Sequence, residues 1–232
     1  MNITKYHFFL VALSIALITA CDSCGSLDEV DKLPDLQSNT SPAISGHSDG
    51  NIYIAALDIK GAILTSRSST PGAWGGWKEI GTGMHTQTAP ALIRVKNVLH
   101  AFARGDDNNL YHASKERTTD WTAFSLIIDD ASVVGDFRVS ATYSDSTEDN
   151  FHIVYQSGES LHTYRRVENE ITLTEHELRN TRFVGIASNG SDEVCIATVT
   201  GGESVKFYVA HAGSWNPTIV GIYQFDDVNP SK

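Results

Sequence analysis

The 232-residue chain lacks the sequence motifs of common catalytic sites. It contains no G-x-S-x-G elbow, no H-E-x-x-H pair and no glycine-rich phosphate loop. We therefore predict that the protein is not an enzyme and that it uses no cofactor. A glycosidase-type pair of carboxylates stays open as an alternative, because such a pair forms only when the folded chain brings two distant residues together.

Positively charged side chains are also scarce. The sequence has 17 lysine and arginine residues against 28 aspartate and glutamate residues, a formal net charge of −11. Such a surface repels phosphate backbones and anionic headgroups, so we predict no nucleic-acid partner. Any attachment to a membrane must then come from a lipid rather than from basic residues.

The only long apolar run, at residues 8–18, is too short to cross a bilayer as a helix. Because Lys5 precedes it, the run has the composition of a signal peptide. The run ends in Ile18-Thr19-Ala20-Cys21, which resembles a bacterial lipobox. That resemblance implies cleavage before Cys21 and acylation of this cysteine. The alternative is an ordinary secretory signal in which Cys21 is a plain cysteine.

These features predict three parts of the chain: a lipoprotein signal peptide at 1–20, a polar tether at 21–40 that starts with the lipidated Cys21, and a globular domain at 41–228. One short strand is expected near residues 33–36. The protein is then expected in the bacterial cell envelope, anchored by a palmitate-type lipid, with its domain in the periplasm or at the cell surface. Of the other two cysteines, Cys24 and Cys195, we favour no disulfide, since Cys195 lies in an apolar strand.

The globular part has no amphipathic helical window but many short strands of β-branched and aromatic residues. Four blocks share one order: an apolar strand, a hairpin, and then, in three of the four, a tryptophan. The hairpin strands are predicted at 51–57 and 62–66, 98–103 and 110–113, 151–155 and 160–164, and 193–199 and 204–211. The first two blocks are offset by 46 residues. A period of about 40 to 50 residues is typical of propeller blades, so we predict an all-β, propeller-like domain of four or five blades; a β-sandwich is the alternative.

The second block contains the clearest hairpin. Residues 97–112, NVLHAFARGDDNNLYH, read as two strands joined by Gly, Asp and Asn residues that suit a tight turn. The segment 91–112, followed by Trp121, resembles the blade of tectonin-like and fucose-lectin-like β-propellers. This resemblance implies a non-catalytic, lectin-like protein whose first-choice ligand is a glycan.

Sugar sites combine an aromatic face for the apolar side of the ring with charged or amide groups for its hydroxyls. The candidate ligand-binding residues of these two kinds are Arg104, Asp106, Asn108, His112, Trp74, Trp77 and Trp121. A structural interpretation of the same residues stays open: the tryptophans fill gaps between blades, and Arg104 pairs with Asp106 to lock the turn.

Histidines recur at matching places in the blocks, His100 with His152 and His112 roughly with His162. Equivalent positions of successive blades are far apart, so we predict no metal site. Each histidine is expected to pack beside a neighbouring blade and to hydrogen-bond a backbone carbonyl. The paired aspartates at 129–130 and 226–227 are interpreted as solvated strand ends.

A second class of function fits the same sequence: a protein-binding envelope lipoprotein, such as an immunity or assembly factor, that acts through the propeller rim. The degenerate repeats favour it, because a multivalent lectin should keep its site residues in several blades. Arg104 instead has Gln156 and Thr200 as its counterparts in the third and fourth blocks.

Overall fold

The computed structural model describes residues 34–46, 50–70, 73–129, 132–141, 151–158, 160–167, 170–177, 181–188, 194–200, 204–211 and 214–224. The predicted signal peptide, Cys21, Cys24 and most of the tether lie outside these ranges, as does the aspartate pair at 226–227. No helix long and apolar enough to cross a membrane occurs in the ranges given.

The described residues form four antiparallel sheets, each made of strands that are consecutive in the chain. Sheet 1 holds β1 (Ala43–Gly46), β2 (Ile52–Leu57), β3 (Ile63–Thr70), β4 (Ala73–Trp74) and β5 (Lys78–Glu79). Sheet 2 holds β6 (Ala91–Val95), β7 (Val98–Arg104), β8 (Leu110–Glu116) and β9 (Ser125–Ile128). Sheet 3 holds β10 (Val133–Ala141), β11 (Phe151–Ser157), β12 (Ser160–Val167) and β13 (Glu170–Glu177). Sheet 4 holds β14 (Thr181–Ser188), β15 (Val194–Thr200), β16 (Ser204–His211) and β17 (Ser214–Gln224).

The first strands of the sheets contact one another in chain order: β1 contacts β6, β6 contacts β10, and β10 contacts β14. Within the described part of the chain, no comparable contact joins β14 back to β1. The four sheets thus follow one another, and their first strands lie side by side. A β-sandwich instead has two sheets that pack face to face. The predicted propeller-like arrangement of four blocks is therefore confirmed over the sandwich.

Side chains of different size fill the successive interfaces between sheets. Between sheets 1 and 2 the buried cluster includes Leu57, Ile63 and Leu99 with several alanines. Between sheets 2 and 3 the rings of Phe102 and Phe151 meet edge to face, with centroids 4.9 Å apart. Burial of a complete leucine, isoleucine or phenylalanine side chain contributes about 1.5–3 kcal/mol to the stability of the fold.

The strand register corrects the predicted period of the first two blocks. Ala55 pairs with Thr65, and Phe102 pairs with His112, each 47 residues further along the chain. The expected offset of 46 was wrong by one residue. A one-residue slip matters because successive side chains of a strand point to opposite faces of the sheet. The corrected offset makes Trp121 the counterpart of Trp74.

The last part of the predicted tether pairs with sheet 1 just before β1 begins. Leu36 forms an isolated antiparallel bridge with Asp58. The Gln37 amide donates to the Leu57 carbonyl at 2.9 Å, and the Ile59 amide donates to the Asp35 carbonyl at 2.8 Å. The strand expected near 33–36 is thus a short bridge where the chain is described. Cys195, on β15, is a half-buried free thiol.

A candidate binding groove between the first two sheets

A groove of about 510 Å³ opens between sheets 1 and 2. Its walls combine aromatic rings with charged side chains: Tyr53, Arg67, Trp74 and Lys78 from sheet 1, and Lys115, Asp120 and Trp121 from sheet 2 and the loop after β8. This volume falls within the range of about 300–1,000 Å³ that is usual for small-ligand sites.

The sheet 1 wall follows from the alternation of side chains on β2 and β3. Three cross-strand pairs share the face that meets sheet 2, namely Leu57 with Ile63, Ala55 with Thr65, and Tyr53 with Arg67. The first pair is buried in the core, and the last ends at the exposed Arg67. The face therefore changes from apolar to polar along the strands, and the groove lies at its polar end.

Thr65 provides a polar group at the groove. Its side chain is only 6% exposed, and its Oγ1 atom has no hydrogen-bond partner among the described residues. Lys78 lies beside it, since the two residues pair across β3 and β5. A buried hydroxyl without a partner costs about 1–3 kcal/mol, so a polar ligand that reaches it recovers part of that cost.

The sheet 2 wall depends on a loop held by hydrogen bonds. The Glu116 amide donates to Thr119 Oγ1 at 3.0 Å, and the Thr122 amide donates to the Ser114 carbonyl at 2.9 Å. Lys115 Nζ donates to the Thr119 carbonyl. These bonds fix the loop that carries Asp120 and Trp121, and Trp121 packs against the buried cluster between the sheets.

Two histidine rings occupy the corresponding positions one interface further on. The counterparts of Tyr53 and Thr65, 47 residues later, are His100 and His112. Their rings stack, with centroids 5.1 Å apart, and His112 also stacks on Phe102. Burial lowers the pKa of His112 to about 3, with smaller contributions from the charges of His100 and Arg166. His112 is thus a neutral core residue rather than part of the groove.

His100 and His112 pack against Phe151 of the neighbouring sheet as predicted, whereas His162 stacks on Tyr155 of its own sheet. The hydrogen bond between His100 and His112 was not predicted. Nδ1 of His100 lies 2.8 Å from Nε2 of His112. On the next sheet, burial lowers the pKa of His152 to about 3, and the charge of Arg165 lowers it further. No group of three potential metal-ligating side chains occurs among the residues described by the structure.

Arg104 ties sheet 2 to sheet 3. Its Nη1 atom donates to the Val133 carbonyl at 3.1 Å, while the Val133 amide donates to the Asn108 carbonyl at 3.0 Å. Val133 starts β10, so these two bonds hold the turn of the second hairpin against the next sheet. Asn108 has the positive φ, 63°, that the turn needs. The structure thus gives Arg104 and Asn108 contacts that stabilise the fold.

Asp107, which sequence analysis did not single out, organises that turn. Its carboxylate accepts hydrogen bonds from the Asn109 amide, from Asn109 Nδ2 and from the Tyr111 hydroxyl, at 3.1, 3.2 and 2.6 Å. The bond from Tyr111 is the main cause of the lowered pKa of Asp107. Gly105 leaves room for this arrangement, because a Cβ atom there would lie 2.5 Å from Asp107 Oδ1 and 2.7 Å from the Tyr111 ring and would have to displace them.

Of the predicted ligand-binding residues, the groove brings together Trp74 and Trp121. Asp106 instead lines a separate cavity of about 560 Å³ with Lys60 and His85. Trp77 is half-buried beside Lys78 and is not among the residues that line the groove. Sequence reasoning missed the other aromatic and charged residues of the groove, which are Tyr53, Arg67, Lys78, Lys115 and Asp120. The 47-residue spacing between the two tryptophans is a sequence signal that could have indicated this groove, but the offset of 46 used in the sequence analysis did not equate them.

Comparison with protein-family models gives no match, and comparison with curated proteins gives none either. Solved structures do match. The N224Q mutant of the Aleuria aurantia lectin AAL in complex with Fucα1-6GlcNAc is similar with a TM-score of 0.60 and 12% identity, covering 84% of this chain and 67% of that chain. A structure of the same fungal lectin with a TM-score of 0.52 and 12% identity, covering 80% of this chain and 62% of that chain, is described as a six-bladed β-propeller.

The fold is a β-propeller. A bacterial lectin, BP39L from Burkholderia pseudomallei, matches it with a TM-score of 0.60 and 20% identity, covering 78% of this chain and 55% of that chain. The residues that the structure describes form four blades, which are sheets 1 to 4. The chain spans between 55% and 67% of the lengths of these lectins.

Proposed function

We propose that the protein binds glycans, without catalysing a reaction, in the groove between sheets 1 and 2. The observation that carries this proposal is the arrangement of Trp74, Trp121 and Tyr53 around the charged side chains of Arg67 and Asp120. Aromatic rings bind the apolar face of a sugar, and charged groups bind its hydroxyls. The groove supplies both kinds of group.

The structural neighbours support a glycan as the first-choice ligand. The Aleuria aurantia lectin was solved with Fucα1-6GlcNAc and with α-methyl-L-fucoside, and the lectin SapL1 was solved with α-methyl fucoside. Because their sequences are only 12–13% identical to this one, they suggest the ligand class rather than the sugar.

The test is a glycan array probed with the wild-type protein and with two tryptophan variants. We expect Trp74→Ala to weaken binding about tenfold or more, because its half-exposed ring lines the groove. Trp77→Ala is the matched control, a tryptophan three residues away that is not a groove residue. Equal losses in both variants, or a blank array with folded protein, would contradict the proposal.

We also propose that a lipid on Cys21 holds the propeller at a bacterial membrane, which would concentrate weak sites and raise their avidity. The support is the sequence alone, through the lipobox resemblance and the acidic surface. Metabolic labelling with palmitate tests it. Label should enter the wild-type protein but not Cys21→Ser, whereas label in both would contradict it.

One observation favours a second candidate function, the binding of a protein partner. Ile44 and Ile52 are 66% and 43% exposed on the face of sheet 1 that points away from sheet 2. Their counterparts by strand register in sheet 2 are Leu92, which pairs with Ala101 as Ile44 pairs with Ile54, and Leu99. Leu92 and Leu99 are 7% and 0% exposed because sheet 1 covers them. The outer face of sheet 1 thus has the apolar pattern of a blade interface and suits a partner that presents an apolar sheet face.

Photo-crosslinking tests this second candidate. A crosslinking amino acid at position 44 should give a specific protein adduct in cells, and the same amino acid at Ile59 is the control. Ile59 is 61% exposed but lies in the turn after β2, outside this face. Adducts at neither position, or equal adducts at both, would contradict a partner on the outer face.

A further inference from the structure

The groove assigned above to glycans has a charge opposite to that of the protein. Arg67, Lys78 and Lys115 line it, and Asp120 is the one acidic residue among the described residues of its wall. The chain as a whole has a net charge of −11. We infer that the ligand is an acidic glycan, one that carries a carboxylate or a sulfate ester. This inference rests on the proposed function and specifies its ligand.

Arg67 and Lys78 project from neighbouring strands on the same face of sheet 1. Lys78 pairs with Thr65, and Arg67 lies two residues further along β3, so the two cations are diagonal neighbours. Such residues have their backbones about 7–8 Å apart, within reach of one anionic group for long side chains. Both side chains are exposed, and in the described part of the chain neither makes a hydrogen bond or an ion pair.

Lys115 adds a third positive charge from the opposite wall. It pairs with Leu99 on the face of sheet 2 that meets sheet 1, and its bond to the Thr119 carbonyl holds it there. Three positive charges against one negative charge leave the groove cationic. Like charges held together in one site repel, and an anion between them relieves the repulsion.

The two cations on sheet 1 select an anion in complementary ways. The planar Arg67 guanidinium can donate two parallel hydrogen bonds to a carboxylate or a sulfate, and Lys78 adds a point charge. Asp120 is then available to accept hydrogen bonds from the neutral hydroxyls of the same sugar, and the aromatic rings are available to pack against its apolar face. A neutral sugar would leave both Arg67 and Lys78 without an anionic partner.

Matched sugars test this inference on the complete chain. The three pairs are sialyllactose with lactose, a glucuronic acid-terminated disaccharide with its glucose counterpart, and 6-sulfogalactose with galactose; a neutral fucosylated disaccharide completes the set. Binding is measured by titration calorimetry at low and at high salt. We expect at least one acidic member to bind tenfold or more tightly than its neutral partner, and we expect this advantage to shrink as salt is raised.

Amino-acid substitutions test which residues cause the preference for an acidic sugar. Arg67→Ala should lose about tenfold or more of the affinity for the acidic sugar, in the range of a charge-assisted hydrogen-bond pair, and Lys78→Ala should lose less. Lys60→Ala is the control, because it removes the same charge from the exposed turn after β2, away from the groove. Its affinity should equal that of the wild type.

The possible outcomes separate this inference from the proposed function. If neutral sugars bind as tightly as acidic ones and Arg67→Ala has no effect, the acidic ligand is wrong while glycan binding stands. If folded protein binds no sugar of either kind, the proposed function is wrong and the inference fails with it. If Lys60→Ala loses as much affinity as Arg67→Ala, the loss comes from the change in the protein's overall charge, and the groove is not the binding site.

Discussion

His100 and His112 form a hydrogen-bonded pair inside the propeller, with 2.8 Å between Nδ1 of the first ring and Nε2 of the second. One nitrogen donates and the other accepts, so the bond exists only while the accepting nitrogen is unprotonated. The rings of Phe102 and Phe151 pack against the pair and exclude water. This site between sheets 2 and 3 therefore links the stability of the propeller to pH.

We predict that the protein loses stability in mild acid. Burial lowers the folded-state pKa values of His112 and His152 to about 3 from the ordinary histidine value of 6.5. Between these pH values the two histidines are protonated in the unfolded chain but not in the folded chain. Stability therefore falls progressively as the pH drops from about 6.5 toward 3. The free energy of unfolding should decrease by a few kcal/mol, to order of magnitude, between pH 7 and pH 4.

Urea unfolding at several pH values measures this loss. His112→Phe should weaken the pH dependence, because it removes one of the two groups with a lowered pKa. His85→Phe, the same substitution at an exposed histidine, is the matched control. Equal stability of the wild type at pH 7 and pH 4 would contradict the prediction.

Arg104→Ala should lower stability and leave glycan binding unchanged. The substitution removes the bond to the Val133 carbonyl that joins the second hairpin to β10. A hydrogen bond from a charged donor contributes about 1.5–3 kcal/mol, so the melting temperature should fall by several degrees. Thermal unfolding and the sugar titration together measure the two effects. A loss of sugar affinity without a change in melting temperature would show that Arg104 contacts the ligand instead.

Asp107→Ala should destabilise the turn of the second hairpin more than Tyr111→Phe does. The aspartate accepts three hydrogen bonds, of which the tyrosine supplies one. We expect a loss of about 1–2 kcal/mol for Asp107→Ala and less for Tyr111→Phe, since the turn is exposed to solvent. Chemical denaturation of both variants measures the difference, and Asp106→Ala, one residue away, should be close to neutral. The turn would not depend on Asp107 if all three variants behaved alike.

Trp121→Ala should weaken both stability and glycan binding, unlike Trp74→Ala, which should affect binding alone. Trp121 is half-buried and packs against the cluster between sheets 1 and 2, whereas Trp74 is exposed on the short strand β4. Removing a partly buried aromatic ring costs a fraction of the roughly 3–5 kcal/mol measured for fully buried ones. Thermal unfolding of the two variants checks the contrast, and equal melting temperatures would contradict it.

The strands of this propeller follow from local sequence. Alternating apolar residues and turn residues predicted 204–211 as a strand, and β16 spans Ser204–His211. The hairpin around Gly105 was likewise predicted, because turn residues and alternation act over a few neighbours. The lack of an amphipathic helical window excluded a helical fold, and the repeat of four blocks indicated successive sheets, since both patterns are visible in the sequence alone.

The groove and the role of Arg104 needed the tertiary structure. Arg104 bonds to Val133, a residue 29 positions away that no local pattern connects to it. The groove depends on strand register, and an offset of 46 instead of 47 reverses which side chains face the next sheet. It also depends on volume: alanines leave space between sheets 1 and 2, whereas the rings of Phe102, Phe151 and the two histidines fill the next interface. Local sequence thus determines the strands, and the packing of one sheet on the next decides where a ligand fits.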